Sequence, residues 1–277
     1  MISTRLIVDE LNYQLACTRY RLSPGRFNAS PSPILVNSSQ KTGTTWMQFM
    51  LACIPGYIRE LNYEGQISRY RTTLPGRVLH GHDPYSPELA DLLEERGIKV
   101  VLMVRDPRDQ TVSRMFHIRR VTSHPWHDRF VQLNDEEALL TCIEGREDQK
   151  FPGSAYFIGV TRSWFDSRLP VQRVRYEELL ADPLKEMRVV LAFLDMAVPE
   201  WLLRAIVTRN QFERSTVQRA LWRRARKPGE ADPNSHFRKG ISGDWKNHFK
   251  PIHIARFKEA AGQALIELGY EQDLDWS

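Results

Sequence analysis

The sequence predicts an α/β fold: a single domain with a central parallel sheet flanked by helices, opened by a P-loop-like phosphate-binding strand-loop-helix. Three observations predict it. Short apolar runs alternate along the chain with longer helical patterns, which is how parallel strands and their crossover helices read. The run Lys-Val-Val-Leu-Met-Val at 99–104 is nearly all apolar, as expected of a strand covered on both faces. A polar turn, Ser39-Gln40-Lys41-Thr42-Gly43-Thr44-Thr45-Trp46, joins the first strand to the first helical segment.

Taken in order, residues 1–30 read as an N-terminal arm, because 1–20 alternate apolar with charged residues and Pro31-Ser32-Pro33 follows. The domain is expected over 31–277. Residues 34–36 form a short buried strand. From Thr44 an apolar-rich helix runs towards Pro55-Gly56. Residues 78–80 are the second strand, and 88–96 a helix stopped by Gly97. After the strand at 99–104, Arg105-Asp106-Pro107 turns into a helix over 109–119. Helices at 135–147 and 154–168, a strand at 171–176 and a helix at 183–194 follow. The last helix, 252–268, is closed by Gly269. Residues 219–233, rich in Arg and broken by Pro and Gly, are expected to be a mobile lid.

A chain of 277 residues suits one large domain. Its net charge of +5 fits an anionic ligand without requiring one. The cysteines Cys17, Cys53 and Cys142 form no CxxC pair, and no histidines cluster at metal spacing. That predicts neither a disulfide framework nor a metal, and a reducing compartment. The N-terminus has no secretory core, and the longest uncharged stretch near it, 47–58, is too short to span a bilayer. A soluble, cytoplasmic protein with no membrane partner is expected.

A turn between strand and helix offers free backbone N–H groups and the positive end of the helix dipole, and both suit a phosphate. Gly43 lets the backbone approach a ligand, Lys41 adds a charge, and Thr44 and Thr45 add hydroxyl donors. The nucleotide-triphosphate loop reads Gly-x-x-x-x-Gly-Lys-Ser/Thr. Here Lys41 precedes the only glycine, which argues against a nucleotide kinase or NTPase. A plain connecting turn stays open at this point.

The loop resembles the PKSGTTW segment of the sulfotransferases that use 3′-phosphoadenosine 5′-phosphosulfate (PAPS). The resemblance implies that it wraps the 5′-phosphosulfate and that Trp46 packs on the adenine. Gln40 stands in place of the family's proline and Thr42 in place of its serine. Further segments resemble the same family in the same order. Arg105-Asp106-Pro107-Arg108-Asp109, continuing to Ser113, is similar to RNPxDxxxS and implies that Arg105 and Ser113 hold the 3′-phosphate. Tyr176-Glu177-Glu178-Leu179 resembles YEDL, and with Phe212 implies adenine contacts. Arg238-Lys239-Gly240, running into Gly243-Asp244-Trp245-Lys246-Asn247, resembles RKGxxGDWKN and implies a second phosphate contact.

The family's chemistry implies an in-line displacement with Lys41 stabilising the leaving phosphate and a histidine taking the acceptor's proton. His80-Gly81-His82-Asp83-Pro84 resembles KTHLP, which puts His82 in the catalytic position. His80 replaces an assisting lysine, so one electrostatic contribution is weakened or passes to a protonated His80. The acceptor is expected to be a small molecule bearing a hydroxyl or amine, a specialised metabolite by analogy. Its pocket is sought among residues 61–73, Pro84-Tyr85, residues 116–126 and 219–233, whose aromatics include Tyr63, Tyr70, Tyr85 and Trp126. The basic run around Arg219, Arg223, Arg224, Arg226 and Lys227 leaves a nucleic-acid-binding module as an alternative. No recognition helix or aromatic-interleaved basic motif accompanies it, so no nucleic-acid partner is expected. Lys250-Pro251-Ile252-His253 lacks the Thr-Val pair of the family's dimer motif, which implies a monomer or weak dimer.

Overall fold

The structure is a computed structural model that describes residues 4–23, 31–60, 67–212 and 238–277. The elements run α1 (Thr4–Arg21), β1 (Ile34–Asn37), α2 (Thr44–Ala52), β2 (Ile58–Arg59), β3 (Arg77–Gly81), α3 (Pro87–Glu95) and β4 (Lys99–Val104). They continue α4 (Pro107–Arg120), α5 (His127–Phe130), α6 (Asp135–Glu144), α7 (Ser154–Arg162), β5 (Val171–Arg175), α8 (Tyr176–Ala181), α9 (Pro183–Phe193), α10 (Glu200–Arg209) and α11 (Pro251–Glu267). The strands form one sheet in the order β2-β3-β1-β4-β5, and every pairing is parallel.

Successive strand residues point to opposite faces, and here both faces are covered. Leu35, Leu79, Val100, Leu102 and Val104 pack with apolar residues of α3, α4, α6, α7 and α11. Ile34, Val36, Val78, Val101 and Met103 pack on the other side with α1, α2, α9 and α10. This two-sided burial explains why β1 and β4 read as unbroken apolar runs. It also leaves the carboxyl edge of the sheet, where β1, β3 and β4 end, as the place where loops converge.

Several features differ from the sequence expectations: β2, α5 and α10 are additional elements, and the helix at 135–147 ends at Glu144. The strand at 171–176 ends at Arg175, because its ladder to β4 ends at the Val104–Arg175 pair; Tyr176 opens a helix instead. The helix at 154–168 ends at Arg162, and Trp164 turns inward to donate from Nε1 to the Asp83 carbonyl at 2.9 Å. Within 1–30, an 18-residue helix buries Tyr13, Cys17 and Tyr20, positions i, i+4 and i+7 on one face. Tyr13 Oη donates to the Cys53 carbonyl at 2.7 Å, and Glu10 pairs with Arg209 at 2.8 Å. Residues 219–233, the expected lid, lie outside the described residues.

Candidate active site

The loop after β1 is bent by two left-handed residues, Lys41 (φ 69°) and Gly43 (φ 99°). Gly43 is required twice over: a Cβ there would also stand 2.8 Å from Tyr176 Cδ2. Lys41 adopts the same region with a side chain, a strained conformation that must be held from outside. The holding groups are Gln110 on α4 and Thr161 on α7. Gln110 Nε2 donates to Ser39 Oγ (2.8 Å) and to the Gln40 carbonyl (2.6 Å). Thr161 Oγ1 lies 2.8 Å from Ser39 Oγ and 3.1 Å from Ser38 Oγ. Thr42 Oγ1 closes the turn on the Ser39 carbonyl at 2.9 Å. Among the described residues, no backbone carbonyl accepts from the amides of Lys41 to Thr45. The loop therefore presents a row of donors at the N-terminus of α2.

Lys41 is half-buried, and its ammonium has no hydrogen-bond or ion-pair partner among the described residues. Loss of water, with Arg120, Arg105 and Arg238 nearby, pulls its pKa down to about 7. Such a concentration of like charge is costly until an anion enters.

The residues after β3 bring two histidines to the same edge. His82 Nδ1 lies 2.7 Å from the Ser38 carbonyl. A carbonyl only accepts, so Nδ1 carries the proton and Nε2 of the neutral ring carries the lone pair. His80 Nε2 lies 2.6 Å from Thr44 Oγ1, and the two rings sit edge to face at 4.7 Å. Burial, then the charges of His82, Arg59 and Lys41, push His80 down to about 3. That shift favours the neutral form of His80 in the free protein. The segment is fixed by Asn37, whose Nδ2 donates to the Asp83 carbonyl at 2.9 Å, and by Tyr70, whose hydroxyl donates to Asp83 Oδ2 at 2.7 Å. Tyr70 is fully buried and anchors this segment; Tyr63 lies outside the described residues.

Arg105 links the loop to the far end of the chain. Its Nη1 donates to the Lys41 carbonyl (3.1 Å), Nη2 to the Ile241 carbonyl (3.4 Å), and its guanidinium lies 4.3 Å over the Tyr176 ring. Its Nε is buried with no partner among the described residues. Asp106, at the family's asparagine position, caps α4 by accepting from Arg108 N at 2.9 Å. Ser113 is half-buried on α4. Trp46 meets Tyr176 edge to face at 6.0 Å and donates from Nε1 to the Asn210 carbonyl at 2.8 Å. Phe212 lies against Gly240, where a Cβ would meet Phe212 Cδ2 at 2.3 Å. Arg238 and Lys239 both pair with Asp244, at 2.5 and 2.6 Å. Burial opposes ionisation of Asp244, but hydrogen bonds from His248, Lys239, Arg238 and Asn247 hold it well below the usual carboxylate range.

The structure thus gathers Lys41, Arg105, Arg238 and His82 at one sheet edge, with Trp46, Tyr176, Phe212 and Gly240 beside them. It adds residues that the motifs did not single out, Gln110, Thr161, His117 and Arg120, and gives contacts to Asp109 and Asp244, which the motifs contain without a role. Arg120 Nη2 donates to His117 Nδ1 at 3.0 Å, and burial, with Lys41 and Arg120 nearby, holds His117 at about 3. The signal for part of this set was available: 110, 113, 117 and 120 follow helical spacing on one polar side of α4. Among the described residues, no group of side chains could hold a metal and no helix is long and apolar enough to cross a membrane.

Residues 31–269 match the family described as "Sulfotransferase domain". The chain is 27% identical to sulfotransferase 1A1 of Rattus norvegicus, over 88% of each chain. It is 28% identical to sulfotransferase 1C2 of Homo sapiens, over 84% of this chain and 83% of that one. Its fold is similar to that of a mouse sulfotransferase crystallised with PAP (TM-score 0.62, 22% identity, 86% of each chain). It is also similar to retinol dehydratase in complex with androsterone and PAP (TM-score 0.59, 16% identity, 92% of this chain and 85% of that one). With the match running from before the Lys41 loop to beyond Trp245, the chain belongs to the sulfotransferase-domain family.

Proposed function

We propose that this sulfotransferase transfers the sulfuryl group of PAPS to a hydroxyl or amino group of a small-molecule acceptor, with His82 as general base. One observation carries the reading: an unpaired lysine ammonium, in a loop of unpaired amides, stands among arginines beside a histidine whose Nδ1 is tied to a carbonyl. The residues fit a nucleotide phosphorylated at both ends. The amides of Lys41 to Thr45 suit a 5′ phosphosulfate, while Arg105, with its orphaned Nε, and Ser113, Arg238 and Lys239 suit a 3′-phosphate. Trp46, Tyr176 and Phe212 supply the aromatic surface for the base. When bound, PAPS supplies the activated sulfuryl group.

Each residue then has a defined task. Lys41 stabilises negative charge at the phosphate end of the site. His82 Nε2 takes the acceptor's proton, and the Ser38 carbonyl holds the ring in the tautomer that can do so. His80, neutral and bonded to Thr44, orients rather than charges the site. The three cysteines are free and buried, which suits a cytoplasmic setting. A specialised metabolite is the acceptor class of this reading, and the enzyme is a monomer or weak dimer.

The test is a PAPS-dependent screen of small hydroxylated and amino compounds, read by mass spectrometry for a sulfated product. His82→Ala is expected to lower turnover at least about 100-fold, the usual contribution of a general base, while PAP still binds. Turnover retained in that variant removes His82 from the role.

A further inference from the structure

Gln40 is the one residue of the donor loop that departs from the family pattern in backbone chemistry. A proline locks φ and stiffens a loop without any outside contact. Glutamine does neither, yet the next residue, Lys41, must be kept in the left-handed region at φ 69°. The compensation lies on α4. Gln110 is 5% exposed, and its Nε2 reaches two acceptors of the loop at once, Ser39 Oγ at 2.8 Å and the Gln40 carbonyl at 2.6 Å. Thr161, on α7, takes up Ser38 and Ser39. Ser39 is thus held from both α4 and α7, and Gln40 from α4. A buried amide whose donors are committed to the loop cannot release them without leaving its own N–H groups unpaired, which is costly in a water-poor site.

We propose that Gln110 is a positioning residue for the donor loop, performing by hydrogen bonds from α4 what a proline at position 40 would do covalently. Gln110 acts through the Gln40 carbonyl and sets the shape in which the Lys41 to Thr45 amides meet the phosphosulfate. The proposal rests on the donor-site reading above. It makes positions 40 and 110 a coupled pair: either the loop carries its own rigidity at 40, or α4 supplies it from 110. Because α4 also carries Asp109 and Ser113, the clamp fixes the 5′ loop to the helix that faces the other phosphate.

Gln110→Met keeps side-chain length and removes the donor. It is expected to weaken PAP binding about tenfold in titration calorimetry, as the loss of two neutral hydrogen bonds would. The KM for PAPS rises in step, and the KM for the acceptor stays put. Adding Gln40→Pro to Gln110→Met is expected to recover most of that loss, which a merely structural role for Gln110 does not produce. Backbone 15N relaxation at 41–45 in the free protein is expected to show a looser loop in Gln110→Met and a firmer one again in the double variant. That readout needs no ligand, so it separates failure of the clamp from failure of the donor-site reading. Unchanged relaxation and PAP affinity in a folded Gln110→Met protein overturn the proposal, as does a double variant no tighter than the single one. Should Gln110→Met not fold, Thr161→Val removes the other side-chain grip on Ser39. Its expected signature is the same, and native relaxation at 41–45 in that variant counts against the clamp.

Discussion

At the scale of single residues, Lys41 makes the sharpest prediction. In the free protein its pKa stands near 7 instead of 10.5, first because the ammonium has lost water and then because Arg120, Arg105 and Arg238 oppose it. An anion placed among them reverses both causes and returns the proton. Between those two pH values the complex therefore binds more protons than the free protein, so affinity for PAP falls as pH rises through that window. Calorimetry in buffers of different ionisation enthalpy is expected to show uptake approaching one proton near pH 8.5 and none near pH 6. Lys41→Met should abolish the uptake; proton-neutral binding by the wild type at the higher pH contradicts the assignment. The same shift acts on folding with a definite sign. The unfolded chain binds more protons above pH 7 than the free folded protein does, so this residue's contribution to stability improves as pH rises from there. Lys41 and His82 stand out as candidate site residues in the sequence because their spacing survives in a linear motif. Their protonation was not, because it is set by Arg120, Arg238 and the Ser38 carbonyl, which only the fold brings near.

Between elements, the decisive contact joins α4 to the 238–247 segment. Asp109 accepts from Gly243 N at 2.7 Å and from Trp245 N at 2.9 Å, with Arg105 Nη2 3.9 Å away. One carboxylate on α4 therefore positions the strand of chain that carries Arg238 and Lys239. Asp109→Asn keeps the shape but places an amide donor against those N–H groups. It is expected to cost about 1–3 kcal/mol of stability, the penalty for buried donors left unpaired, and to weaken PAP binding more than 5′-AMP binding, because only PAP uses the 3′ side. Denaturant unfolding and paired titrations check both; equal losses for the two nucleotides would place Asp109 outside the 3′-phosphate site. Element by element, legibility followed burial. β1, β3 and β4 carry apolar runs, whereas β5 shows only Val171 and Val174 between polar residues; β2 is two exposed residues paired to β3, and nothing in Ile58-Arg59 sets it apart in sequence. The helix at 4–21 was hidden for a related reason. Its inner stripe of Tyr13, Cys17 and Tyr20 is narrow, and exposed Val8, Leu11 and Leu15 on other positions blur the period. The end of β5 is decided by where its neighbour β4 stops, which Tyr176 itself does not encode.

Across the whole molecule, the candidate site is an assembly of chain segments that are distant in sequence: the loop after β1, the start of α4, the residues after β3 and the 238–241 segment. Arg105 already bridges two of them, through the Lys41 and Ile241 carbonyls. Lys41 lies close enough to Arg120, Arg105 and Arg238 for their charges to depress its pKa, so an anion entering there relieves a repulsion shared by several segments. A doubly phosphorylated nucleotide should therefore stabilise the fold as a unit and not only a local loop. At a concentration about 100 times its dissociation constant, PAP is expected to add about 2.7 kcal/mol. For a domain of this size that corresponds to a rise in Tm of roughly 5–10 °C. 5′-AMP at the same concentration should shift Tm much less, because it leaves the 3′ side unfilled, and inorganic sulfate less still. Added salt should shrink the PAP shift by screening the same cations. Differential scanning fluorimetry with the three ligands, at low and high ionic strength, checks the order. A shift for sulfate equal to that for PAP would mean that the cations form a general anion patch and not a nucleotide site built from both ends.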